Sequence, residues 1–178
     1  MRAVLPAMNA HVESPPSDWV LRWAAGVAAG ATVLDVAGGT GRHARVFASQ
    51  GCQVTLVDIS AAALSQARQI TGVEVMQADL ESAPWPFQAA QFDAVVVTNY
   101  LWRPRFENLL ASLKPGGLLI YETFASGQET IGRPSRPEFL LEPGELLQRC
   151  EALHVLAYEN LRLSNPDRFV QRICARPD

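Results

Sequence analysis

The 178 residues carry 48% hydrophobic and 19% charged side chains and a formal net charge of −3, the profile of a globular chain of one domain. That charge gives no overall attraction to nucleic acid, and no apolar run approaches the roughly 20 residues that cross a bilayer. Three separated cysteines (Cys52, Cys150, Cys174) form no CxxC pair, so neither a disulfide framework nor a metal site is expected.

Residues 1–16, ending in Ser14-Pro15-Pro16, read as irregular and lack the continuous apolar core of a secretion signal, so the cytoplasm is the expected compartment. Ser17 or Asp18 is placed to cap a helix carrying Trp19, Leu21, Trp23 and Ala24 and stopping near Gly30. Strands are then expected at 32–36, 53–57, 73–77, 92–98 and 117–123, with helices at 42–50, 60–69 and 105–113. Continuously apolar strands alternating with helices imply an α/β fold, a Rossmann-like, doubly wound and mostly parallel sheet with helices on both faces. After a helix at 143–150, with Pro143 in its first turn, strands at 153–160 and 168–175 flank Asn165-Pro166-Asp167 and read as an antiparallel hairpin, the last two of seven strands. Residues 81–91 and 124–142 take no assignment, and a loop of the latter length in a compact domain is more often functional than idle. Nothing suggests a second domain, and nothing speaks to an oligomeric state.

The chemistry concentrates in Val33-Leu34-Asp35-Val36-Ala37-Gly38-Gly39-Thr40-Gly41. A strand feeding a glycine turn and then a helix offers backbone N–H groups to a ligand that approaches the main chain closely. Asp35 at the junction would repel a pyrophosphate and attract an ammonium group. It also suits a plainer role, as charge partner of the following helix. Seventeen residues past Gly41, a second apolar strand ends in Asp58, placed either to accept ribose hydroxyls or to cap the helix near Ser60. Asp79, in Gln77-Ala78-Asp79-Leu80, follows the third strand, where Asp is also common as a turn residue.

In this order and at these spacings the residues resemble the class I S-adenosylmethionine-dependent methyltransferases over nearly the whole chain. Asp35, Gly39 and Gly41 match the acidic-x-Gly-x-Gly-x-Gly motif. Ala37 stands where the first glycine is commonest, tolerable if it need not take a positive φ. Phe92-Asp93-Ala94-Val95-Val96-Val97-Thr98 resembles the fourth strand, and Leu113-Lys114-Pro115-Gly116-Gly117 the turn before the fifth. The resemblance implies a site for S-adenosylmethionine (product S-adenosylhomocysteine) formed by Asp35, Ala37, Gly38, Gly39, Gly41, Asp58, Ile59, Ala78, Asp79, Leu80 and Thr98. Asp58 would hold the ribose and Asp79 the adenine amino group, with apolar neighbours against the ring. The competing pattern is a nicotinamide-dinucleotide site, because Gly39-Thr40-Gly41-Arg42-His43-Ala44 also fits G-x-G-x-x-[GA]. Asp35, Asp79 and the lack of length for a substrate domain weigh against it.

The acceptor is expected beyond the carboxyl ends of strands four and five. Tyr100 and Glu122 are the candidates for orienting the acceptor or taking its proton, and Asn99, Arg103, Phe124, Arg133 and Arg136 the candidates for binding it, with Arg105 adding positive charge. Loop 124–142 is expected over this site. His43, Trp19, Trp23, Phe47 and Trp85 read as structural. The strand-four exit is not the Asn-Pro-Pro-Tyr type of DNA methyltransferases, which disfavours nucleic acid. Small size and Pro143-Gly144-Glu145-Leu146 resemble the tellurite-resistance-type enzymes, implying a small acceptor with a soft chalcogen or thiol; quinone-modifying enzymes share the glycine turn but are usually longer. A protein or RNA substrate and a catalytically silent partner subunit are the alternatives.

Overall fold

The computed structural model describes residues 14–178, so most of the expected irregular segment lies outside the described residues. Seven strands form one sheet in the order β3-β2-β1-β4-β5-β7-β6. They are β1 Thr32–Val36, β2 Gln53–Asp58, β3 Val73–Gln77, β4 Phe92–Thr98, β5 Leu113–Phe124, β6 His154–Ser164 and β7 Asp167–Arg176. β1 to β5 pair in parallel, whereas β7 runs antiparallel to both β5 and β6. The terminal hairpin thus inserts its second strand between β5 and β6.

Alternation along the buried strands sends side chains to two cores. Val33, Val54, Leu56, Ala94 and Val96 pack under α1 (Asp18–Ala24), α2 (Ala44–Ser49) and α3 (Ala61–Ala67). Leu34, Val36, Val57, Val95 and Val97 pack under α4 (Phe106–Ala111) and α5 (Glu145–Arg149). The helices are shorter than the sequence pattern suggests, and their ends explain why. Ser17 caps α1 through the Trp19 amide and Ser60 caps α3 through the Ala63 amide, whereas His43 before α2 makes no side-chain cap. Pro143 does not occupy the first turn of α5, because Gly144, at φ 78°, intervenes as the cap. All three cysteines are buried thiols.

Segment 124–142 doubles back onto the sheet rather than running free. The Leu141 amide donates to Phe124 O at 3.0 Å and the Ser126 amide to Leu141 O at 2.9 Å. Buried Gln128 accepts from the Phe169 amide and donates to Arg133 O. Its far end is held by Arg103, which pairs with both carboxylate oxygens of Glu145 and donates to Glu138 O and Leu140 O. Arg149 donates to the same carboxylate at 2.7 Å. Burial would raise the pKa of Glu145, but these hydrogen bonds hold it down to about 2.

Two expected outcomes follow from this backbone. Because the Glu145 carboxylate titrates lower when folded, its stabilisation is complete above about pH 4.5 and fades as pH falls toward 2. Glu145→Gln should therefore lower stability in urea by on the order of 1–2 kcal/mol at pH 7, water screening at the arginines taking part of the pairing energy. The gap from the unchanged chain should close toward pH 2, and a gap constant with pH would contradict the pairing. Ala37 sits at φ 51°, so the condition for tolerating its methyl group is not met and the turn carries strain. Ala37→Gly should raise stability by about 1 kcal/mol; an unchanged urea midpoint would show that the turn bears no such strain.

Candidate functional site

The sheet reverses direction of construction between β1 and β4, and ligands of open α/β sheets bind at such a point, beyond the carboxyl ends of the strands. The chain leaving β1 there makes a tight turn: the Gly38 amide donates to Val57 O at 3.1 Å and the Gly41 amide to Gly38 O at 3.0 Å. Position 38 has no room for a side chain, since a Cβ would lie 2.7 Å from Leu56 Cγ and 2.8 Å from Asp35 Cγ. Gly39, at φ 58°, turns the backbone outward. Asp58 at the end of β2 fixes the turn, with Oδ2 accepting from the Gly39 amide at 2.9 Å and Oδ1 from the Ser60 amide at 2.8 Å.

Two clefts of about 500 Å³ each meet at Ala37. The first is lined by Asp58, Ile59, Ala78, Leu80, Tyr100 and Trp102. Ile59 is 62% exposed, an apolar surface open to a flat ligand. Asp79 also lines this cleft, but its carboxylate folds back onto the Glu81 and Ser82 amides and the Ser82 hydroxyl, which hold its pKa low. Tyr100 Oη and Trp102 Nε1 are buried with no hydrogen-bond partner among the described residues. Burial, with the charges of Glu81 and Asp79, raises the Tyr100 phenol far above its ordinary range, so it can donate a hydrogen bond but not accept a proton as a base. The second cleft runs along Gly38, Gly39 and Thr40 to Arg42, Gln66 and Asn99, with Ser14 at its wall. Asn99, a left-handed residue at φ 54°, therefore stands at the glycine turn.

Three residues expected at the cofactor lie beneath the site instead. Asp35 is wholly buried; Oδ2 accepts from the Ala44 amide at 3.0 Å and Oδ1 has no partner among the described residues. Burial pushes its pKa up to about 7 despite that amide and the Arg42 charge. Its side chain leaves β1 on the face covered by α2, so it braces the turn from below rather than meeting an ammonium group directly. Gly41 packs against Ile70 and Leu56. Thr98 is turned inward onto His43, 3.1 Å from Nδ1.

His43, read from sequence as structural, is the centre of a buried network. The Ser17 amide donates to its Nε2 at 3.1 Å, which leaves Nδ1–H to donate to Thr98 Oγ1. Burial, with the charges of Arg42 and Arg168, pushes its pKa down to about 3, so the ring is neutral. Ser17 Oγ donates to Glu122 Oε1, which also takes Arg168 at 3.0 Å, while Oε2 takes Arg172 at 3.3 Å. Glu122, 1% exposed, is thus a counter-ion for two arginines, not a free base.

The expected acceptor-binding residues separate. Asn99 lines the second cleft, but Arg103 is committed to Glu145, and Arg105 donates to Leu80 O and Ala83 O. Phe124 pairs with Val170 inside the sheet. Arg133 is exposed, and Arg136 pairs with Glu138 and lies over Phe139, so neither lines the two clefts. Among the residues that sequence reasoning missed are Ser17, Trp102, Gln66 and Ser14. Trp102, an aromatic at a strand-four exit, and Ser17, read only as a helix cap, carried a local signal.

Comparison with known proteins shows what this site is similar to. Residues 33–117 match the model of a methyltransferase domain. The chain is 30% identical over 145 residues to a demethylmenaquinone methyltransferase of Clavibacter sepedonicus, covering 76% of this chain and 58% of that protein. It is 35% identical over 102 residues to a malonyl-[acyl-carrier protein] O-methyltransferase of Enterobacter lignolyticus, covering 54% and 40%. The chain thus spans about half the length of these curated relatives. Among solved structures, TehB of Haemophilus influenzae superposes with a TM-score of 0.75 at 18% identity, over 89% of this chain and 61% of that one. A methyltransferase from Methanosarcina mazei does so with a TM-score of 0.70 at 17% identity, over 92% and 99%. The matched segment begins in β1 and contains the glycine turn, Asp58, the exit of β4 and, apart from Ser14, the residues that line both clefts. The chain thus carries a methyltransferase-domain match over residues 33–117, and its fold is that of the methyltransferases on which it superposes.

Proposed function

We propose that this chain binds S-adenosylmethionine across the two clefts and transfers its methyl group to a small-molecule acceptor. The observation that carries the reading is the pair of clefts joined at Ala37, one apolar with a carboxylate at its mouth, the other lined by backbone of the glycine turn. The first suits an adenosine: Asp58 has spent one acceptor site per oxygen on backbone amides and keeps the rest for ribose hydroxyls, and Ile59 and Leu80 offer apolar contact. Tyr100 Oη and Trp102 Nε1 are donors without partners among the described residues, suited to acceptor atoms of a bound ligand. The second suits the amino-acid end, within reach of the Asn99 side of β4.

The bound sulfonium would supply an activated methyl group; the protein's part is to align the acceptor and exclude water. Among the described residues, the ionisable groups at the ends of β4 and β5 are already engaged: Glu122 with two arginines, His43 through both nitrogens, and Tyr100 held protonated. That supports an acceptor needing no proton removed by the protein, such as a thiolate or another soft chalcogen anion. The named relatives methylate a quinone precursor and a carrier-bound malonyl group, which fits small acceptors as a class.

The test combines binding with product formation. Titration calorimetry with S-adenosylhomocysteine should show Asp58→Ala weakening binding about tenfold or more, the loss expected for hydrogen bonds to a charged group. Mass spectrometry of reactions with S-adenosylmethionine and a panel of small thiols, selenols, phenols and amines should show the methylated thiol or selenol and S-adenosylhomocysteine in equal amounts. Equal affinity in the Asp58 variant would remove the ribose role, and methylation of phenols or amines alone would remove the soft acceptor.

A further inference from the structure

The chain entering α1 crosses the glycine turn, and three contacts hold it there. Arg42 donates to Pro15 O at 3.2 Å, the Ser17 amide donates to His43 Nε2 at 3.1 Å, and Ser17 Oγ donates to Glu122 at 2.9 Å. Just before them, Ser14 forms part of the wall of the second cleft, which Asn99 also lines. This strap is tied to three separate parts of the sheet's carboxyl edge: the turn after β1 through His43, β4 through Thr98 on the same ring, and β5 through Glu122.

We propose that residues 14–17 close the amino-acid end of the cofactor site and that His43 and Ser17 are the positioning residues that hold them there. The inference rests on the reading of the second cleft given above. His43 suits the task because it bridges the strap and β4 with one rigid ring, its Nε2 accepting from one and its Nδ1–H donating to the other. It stays neutral over the working pH range, so the clamp does not loosen on titration. A hydroxyl on Ser17 serves two ends at once, donating to Glu122 while accepting from the Trp19 amide, so the strap and the start of α1 are fixed by the same atom. The strap touches only the second cleft; the residues lining the first begin at Ala37. Loosening it should therefore weaken ligands with the amino-acid tail and spare those without it.

The test compares S-adenosylhomocysteine with adenosine by calorimetry in the full chain. His43→Ala and Ser17→Ala should each weaken S-adenosylhomocysteine about tenfold and leave adenosine within twofold, while Ser17→Thr, which keeps the hydroxyl, should restore the unchanged value. Equal losses for both ligands, or none for either, would overturn the strap's role. Ser14→Cys provides a readout that does not depend on those variants folding. Position 14 is exposed and the three native thiols are buried, so maleimide should label position 14 first. Saturating S-adenosylhomocysteine should slow that labelling at least fivefold, and labelling at an unchanged rate would overturn the proposal. Failure of the unaltered chain to bind S-adenosylhomocysteine or adenosine at all would overturn the functional reading and the strap with it.

Discussion

One carboxylate ties the site together. Asp58 accepts the Gly39 amide with one oxygen and the Ser60 amide with the other, so the turn after β1 and the start of α3 share one charged anchor at the end of β2. Charge-assisted bonds of this kind are roughly twice as strong as neutral ones, and here they oppose two costs: the left-handed Ala37 and the missing side chain at Gly38. The anchor also sets the ligand geometry. An acid holding the turn from the mouth of an apolar cleft leaves free acceptor sites beside the glycine backbone, where a ribose can meet one and an amino-acid tail the other.

The second acid works from beneath. Asp35 gives the turn a buried acceptor at the Ala44 amide, and its remaining oxygen lacks a partner among the described residues. Burial costs the charged form, which is why its pKa rises toward neutrality. The ammonium-seeking role read from sequence therefore gives way to the plainer helix-partner role. Discrimination against a diphosphate then rests on the shape of the two clefts and on Asp58, more than on the acid flanking the turn.

β1 and β4 were legible because burial on both faces makes them almost continuously apolar, and the positions of β1, β3 and β4 match the sequence pattern to the residue. Helix lengths were less so, because Arg42 and His43 are compatible with a helix but are held in a turn by long-range bonds, and Pro143 is cut off from α5 by the left-handed Gly144. Asp58 stands at the clefts as its spacing suggested, and Gly38, Gly39, Ile59, Ala78 and Leu80 stand there as the resemblance implied. The acceptor-side arginines do not, because a guanidinium's partner cannot be read locally: Arg103 meets Glu145 forty-two residues away. The same holds for His43, whose ring joins positions 26 and 55 residues distant, and for Ser17, whose hydroxyl reaches Glu122 across 105 residues.

The central claim is that the two clefts form one site for a sulfonium nucleoside, not for a nicotinamide dinucleotide. Thermal unfolding tests it most directly, with the sulfur compounds at a hundredfold excess over their dissociation constants and NAD and NADP at the same concentrations. The account predicts that S-adenosylmethionine and S-adenosylhomocysteine each stabilise the chain by about 2.7 kcal/mol while NAD and NADP leave the midpoint unmoved. A midpoint raised by a nicotinamide dinucleotide and unmoved by either sulfur compound would contradict it.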